Sequence, residues 1–166
     1  PGKANADVQL WLKNLETGVM RPVDWDAKAF PYLATVKWPE HAPLTLVVQN
    51  REQTRAQIVT VAVPSAKCSV FWEETDAAWL NIEQSVPHWR GDGSGLFWVT
   101  ERRGAPEVEF HPAQGGPRAV WVSPEAGFSQ WVGFDESSGA LYYSGGSDPT
   151  TSSIFRVAGP GLQTSQ

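Results

Sequence analysis

Val86-Pro-His-Trp89, Arg90-Gly-Asp-Gly-Ser94 and Gly95-Leu-Phe-Trp-Val-Thr-Glu101 run on without a break. Two β-rich runs flank a turn made of Asp-Gly and Ser-Gly. Those dipeptides tolerate the positive φ that a tight hairpin demands. The aromatic and β-branched residues beside them suit a pleated, half-buried surface. The stretch reads as a β-hairpin.

The same plan occurs twice more. Upstream, Tyr32-Leu-Ala-Thr-Val-Lys-Trp38 and Leu44-Thr-Leu-Val-Val-Gln-Asn50 flank a turn from Pro39 to Pro43. Downstream, Gln130-Trp-Val-Gly-Phe134 and Ala140-Leu-Tyr-Tyr-Ser-Gly145 flank Asp135 to Gly139. A third alternating run follows each hairpin: Gln57 to Val63, Glu107 to His111, and Ser153 to Val157. The first two copies add a fourth, Cys68 to Trp72 and Arg118 to Val122. Leu44, Gly95 and Ala140 hold equivalent places, so the period is about 45–50 residues, as for four-stranded propeller blades.

Ahead of the first copy, Val8-Gln-Leu-Trp-Leu-Lys13 and Val19-Met-Arg-Pro-Val-Asp-Trp25 read as the last two strands of a blade. The expected fold is all-β: a partial β-propeller of about three blade-equivalents of antiparallel four-stranded sheets. Its expected parts are 1–26 (two strands), 30–75 (a full blade), 84–124 (a full blade), 128–158 (three strands) and a disordered tail, 159–166. The chain opens on Pro1 rather than Met, which suggests an excised fragment. So few blades cannot close a ring, so the expectation is either that more chain is missing or that the fragment self-associates through open blade edges.

Composition agrees with this reading. Nine Trp, 15 Gly and 13 Pro stand among 166 residues. Proline at that density interrupts helices, because it lacks the N–H and clashes with the preceding turn. The formal charge of −5 argues against a nucleic-acid partner, since phosphates need clustered Lys and Arg. No apolar run is long enough to span a membrane. Cys68 has no partner for an internal disulfide and reads as a packed thiol. Trp38, Trp89 and Trp131 recur at equivalent places and are expected between sheets. Trp79, in a connection, is the expected exception.

An ordered set of phrases resembles a known family. These are Pro1-Gly-Lys-Ala-Asn5 with Val8-Gln-Leu-Trp-Leu, Phe30-Pro-Tyr-Leu-Ala-Thr-Val-Lys-Trp38, Leu44 to Gln53, Glu74-Thr-Asp-Ala-Ala-Trp-Leu-Asn81, Val86-Pro-His-Trp89 and Asp92 to Trp98. In this order they resemble the middle and later part of the propeller in dipeptidyl peptidase IV-like serine exopeptidases. The resemblance implies partners: the rest of a propeller, a C-terminal α/β-hydrolase domain with a Ser-His-Asp triad, and short peptides. It also implies a pair of amine-holding glutamates, but upstream of the matched stretch. Glu73-Glu74 stands in a different context and does not inherit that role. The loop before Val86 lines the extended substrate site in some members. That makes Trp79, Asn81 and Glu83 the candidate substrate-lining residues.

No catalytic set emerges. Gly91-Asp-Gly-Ser-Gly95 looks like a nucleophile elbow, but such an elbow joins a strand to a helix, and this one joins two strands. Arg90-Gly91-Asp92 matches a cell-adhesion tripeptide and is explained by the turn. His41, His88 and His111 lack metal-ligand spacing, so no metal or cofactor is expected. Carboxylates such as Glu101 and Glu107 read as solvated strand ends. Two functions follow: a non-catalytic gate that positions peptide for a hydrolase domain, or an independent Trp-rich interaction or carbohydrate-binding module.

Overall fold

The computed structural model describes residues 6–148 and 150–161. Residues 1–5 and 162–166 lie outside that set, and with them the Pro1–Asn5 phrase and most of the expected tail. Among the described residues there is no α-helix, and so no helix that could cross a membrane. A single 3-10 turn spans Pro124–Ala126. The chain divides into two compact units, Pro1–Leu80 and Asn81–Gln166.

The first unit holds a two-stranded ribbon and a four-stranded sheet. The ribbon pairs β1 (Leu10–Lys13) with β2 (Met20–Val23). The sheet is an antiparallel meander of β3 (Tyr32–Lys37), β4 (Leu44–Gln49), β5 (Arg55–Ala62) and β6 (Lys67–Thr75). Side chains close the turns. Asn14 Oδ1 accepts the N–H groups of Glu16 and Thr17 at 2.9 and 2.8 Å, and Gly18 follows at φ +72°. Asn50 Oδ1 does the same for Thr54 and Arg55 at 3.0 and 2.8 Å. Asn suits both places because its short amide mimics a backbone acceptor.

The core of this unit follows from strand alternation. Leu44, Leu46 and Val48 of β4 and Val59 and Val61 of β5 share one buried face with Val23, Trp25 and Phe30. Leu10 and Leu12 pack against that cluster, so Trp11 and Lys13 point the other way and are exposed. Trp25 lies just past β2 rather than in a strand, and its Nε1 donates to the Phe30 carbonyl at 3.0 Å. Cys68 packs against the same cluster. Burial first, then the Asp24 carboxylate, push its thiol pKa up, so the thiolate is disfavoured.

The second unit holds two sheets. One is the meander β7 (His88–Trp89), β8 (Gly95–Thr100), β9 (Glu107–Pro112) and β10 (Ala119–Val122). The other is β11 (Phe128–Asp135), β12 (Ala140–Gly145) and β13 (Ser153–Val157). Phe97 of β8 joins them. Its ring centroid lies 5.2 Å from Phe110, 5.0 Å from Trp121, 5.5 Å from Trp131 and 4.9 Å from Phe134. Such tilted and edge contacts suit the ring quadrupoles. Gly95 opens β8 because a Cβ there would sit 2.4 Å from the His111 carbonyl oxygen. Past β13, the Gly161 N–H donates to the Val120 carbonyl at 3.2 Å.

One expectation about tryptophan fails. Trp89 and Trp131 are buried, but Trp38 is 59% exposed. The ladder explains the difference. Trp89 pairs with Leu96 and Trp131 with Tyr143, whereas β3 ends at Lys37, opposite Thr45. Trp38 therefore stands beyond the last cross-strand pair of an edge strand and has no facing side chain.

Candidate functional site

The three residues singled out from sequence lie in the connection between β6 and β7. Trp79 closes the first unit, while Asn81 and Glu83 open the second. Asp76 organises the first part. Its Oδ1 accepts the N–H groups of Ala78 and Trp79 at 2.7 and 3.0 Å, and these bonds hold its pKa below the usual carboxylate value. The Asp76 N–H donates to the Thr54 carbonyl, and the Leu80 N–H to that of Gln53, both at 2.9 Å. The backbone is thus fastened to the β4–β5 turn while the Trp79 side chain stays 56% exposed. Asn81 Nδ2 donates to Glu101 Oε2 at 2.9 Å. Glu83 Oε1 accepts the Ser85 N–H at 3.0 Å. Both polar side chains are engaged within the protein, Asn81 with the distant Glu101 and Glu83 with the nearby Ser85, while Trp79, exposed like Asn81, presents an apolar indole surface.

The Glu73-Glu74 pair cannot act as a clamp for one cation. Adjacent strand residues point to opposite faces. Glu73 accepts from Gln57 Nε2 at 2.7 Å and from Arg55 Nη2 at 2.6 Å, and these two partners, Gln57 first, lower its pKa. Glu74 is buried on the other side.

The cell-adhesion tripeptide is equally committed. The Gly91 N–H donates to Glu136 Oε1 at 2.5 Å. The Arg90 guanidinium lies 5.4 Å from the Phe134 ring centroid and 3.4 Å from Asp92 Oδ2. Asp92 Oδ1 accepts the Ser94 N–H at 2.9 Å. Ser94 sits in the turn between β7 and β8, so no strand-to-helix elbow exists there.

Sequence reading missed a row of ionisable side chains on β9. Glu107, expected as a solvated strand end, is 1% exposed; Glu109 is 5% exposed, and His111 is buried beside them. At alternate positions the three share a face, opposite Thr100, Trp98 and Leu96 on β8. Glu109 Oε2 takes Arg102 Nη2 at 2.5 Å, His111 Nε2 at 3.2 Å and Arg118 Nη1 at 3.3 Å. Arg103 Nε donates to Glu107 Oε2 at 3.0 Å. Burial alone would raise the Glu109 pKa. The bond to His111 and the charges of Arg102 and Arg118 outweigh it, and the net shift is downward. A carboxylate crowded by three donors is a structural anchor rather than a base. The alternation Glu-Val-Glu-Phe-His over 107–111 was the available signal, with charge on the inward phase. Among the described residues, no group of three or more His, Cys, Asp or Glu is placed to hold a metal ion.

Among the described residues, four successive antiparallel sheets without α-helix, with strands paired in chain order, invite comparison with propellers. Residues 1–164 match the family model of the dipeptidyl peptidase IV (DPP IV) N-terminal region. The chain belongs to that family.

Solved members agree with the DPP IV N-terminal fold. The crystal structure of Porphyromonas gingivalis dipeptidyl peptidase 4 superposes with a TM-score of 0.80 at 18% identity, over 93% of this chain and 22% of that one. A putative dipeptidyl aminopeptidase IV from Bacteroides ovatus gives 0.76 at 15% identity, over 99% of this chain and 26% of that one. The fold is accordingly a partial β-propeller. Among curated proteins, the inactive dipeptidyl peptidase 10 of mouse is 27% identical over 114 residues, or 66% of this chain, and the rat protein 26% over the same length. The chain spans 14% of the length of those relatives.

Proposed function

We propose that this DPP IV N-terminal region is a non-catalytic wall and gate, positioning short peptides for a serine hydrolase domain supplied outside residues 1–166. The observation that carries the reading is the commitment of its reactive groups. Ser94 lies in a hairpin turn, Glu73 is spent on Arg55 and Gln57, and Glu109 on Arg102, Arg118 and His111. Rigid, saturated blades suit a wall, because a peptide must be oriented without competing chemistry. The family match over residues 1–164 supplies the context. In this reading Trp79 offers an apolar face to the peptide, with Asn81 and Glu83 shaping the connection beside it.

The direct test is hydrolysis of a Gly-Pro chromogenic amide. The chain alone should give no turnover above buffer. The complete peptidase should turn over, and Trp79→Ala in it should raise KM for longer peptides with little change for the dipeptide amide. Turnover by the purified chain, or a Trp79→Ala enzyme with unaltered KM for every peptide length, overturns the reading.

A further inference from the structure

We propose that the first unit carries a binding site for acidic oligosaccharides, short chains of uronate sugars, at the turn end of the β1–β2 ribbon. The site is a cleft of about 480 Å³ bounded by the ribbon, Trp38 and the β5–β6 turn. Trp11 and Trp38, at 48% and 59% exposure, both line it. An exposed indole is a flat apolar platform of the kind that sugar C–H faces cover. Its position beyond the β3–β4 ladder leaves Trp38 free to serve as one.

The polar lining is one-sided. Lys13 and Arg21 enter from β1 and β2, and neither has a carboxylate partner among the described residues. No carboxylate lines the cleft, in a chain whose formal charge is −5. Asn14 and Thr17 complete the wall. Asn14 Oδ1 is already occupied by the Glu16 and Thr17 N–H groups, and Thr17 Oγ1 accepts the Val19 N–H at 3.4 Å. Their main acceptors are spent, and the Asn14 NH2 remains to donate. The cleft therefore offers donors and positive charge, and asks for a ligand rich in acceptors. A peptide brings one N–H for nearly every carbonyl and would leave donors facing donors. A uronate chain brings carboxylates and ring oxygens, and its hydroxyls, unlike a fixed peptide N–H, rotate to accept where the wall donates; its apolar sugar faces suit Trp38. The volume accommodates two sugar rings. This site is separate from the Trp79 connection and does not rest on the peptide reading above.

The test is calorimetric titration of the full chain at low salt with sodium trigalacturonate, with neutral galactotriose and sodium acetate as comparison ligands. Saturable one-to-one binding of trigalacturonate alone is expected. Arg21→Gln should weaken it about tenfold, the size of one charge-assisted contact, and Trp38→Ala by a similar factor through loss of the apolar sugar-face contact. Trp79→Ala should leave it unchanged. Circular dichroism checks that each variant is folded. If Trp38→Ala does not fold, Arg21→Gln decides, with Arg21→Lys expected to restore most of the affinity. No binding, equal binding of the neutral sugar, saturation by acetate alone, or full affinity in Arg21→Gln overturns the proposal.

Discussion

Glu136 Oε1 accepts the main-chain N–H of Gly91 at 2.5 Å, tying the turn that ends β11 to the turn that opens β8. The same carboxylate lies 3.9 Å from Arg90 Nε. The two sheets of the second unit are thus joined at their turns as well as through the aromatic rings around Phe97. A Cβ at Gly91 would meet the Glu136 side chain at 3.3 Å, so a small residue keeps the approach open.

Glu136→Ala should lower stability by about 0.5–1 kcal/mol. That is the range for a charge-assisted hydrogen bond at a partly exposed site, where solvent screens the ion pair. A urea titration should show a lower midpoint with an unchanged slope. A midpoint equal to wild type would mean that water replaces the carboxylate without loss.

Phe97→Ala should cost about 3–5 kcal/mol, as for a large aromatic removed from a packed core. Four neighbouring rings lose their common contact. Near-ultraviolet circular dichroism, which reports indole packing, should weaken together with the thermal midpoint. Phe97→Leu should recover part of both.

Acid stability should depend on Glu109. Its pKa is lower folded than its ordinary value of 4.5. Such a group contributes stability that is fully present above the unfolded value and is lost as pH falls through the folded one. The chain should therefore lose stability steadily below about pH 4.5, through protonation of Glu109. Glu109→Gln should be less stable at pH 7 by about 2 kcal/mol, since Arg102 and Arg118 lose a buried charged acceptor. Its acid limb should also be flatter. A pH profile parallel to wild type would show that other carboxylates set the acid limb.

Trp79→Ala and Trp25→Ala should part company. The Trp79 indole is exposed and its backbone is fixed by Asp76, so its loss should change stability by less than about 0.5 kcal/mol. Trp25 is buried and donates to Phe30, so its loss should cost about 3–5 kcal/mol. Parallel chemical denaturation of the two variants separates a recognition residue from a core residue.

The hairpins were legible because turn chemistry is local. Asp92-Gly93 and Asp135 to Gly139 announce their turns, and the strands beside them carry aromatic and β-branched residues. Asp135 shows how local the signal is: Ser138 and Ser137 hydroxyls, with the Ser137 N–H, hold its pKa at about 2. Trp38 misled because equivalence in a repeat does not fix where a ladder stops. One residue past Lys37, the same side chain that is buried at Trp89 meets solvent. The β9 row misled for a different reason. Charged residues read as solvent-facing, and the arginines that neutralise Glu107 and Glu109 lie in turns on either side of β9. Only when those turns close do Arg102, Arg103 and Arg118 reach it. The Trp79 connection was found by position in the repeat. The engagement of Asn81 with Glu101 and of Glu83 with the Ser85 N–H depends on how the chain folds back, which spacing alone does not encode.

Every strand in the two meanders and the three-stranded sheet pairs only with the strand before or after it in the chain. Each sheet is therefore complete once its own short segment has been synthesised, without waiting for distant sequence. Pairings this close in sequence carry little loop-closure entropy and form early. Growth from the ribosome can then lay down the sheets one at a time, each closing its own ladder before the next is made.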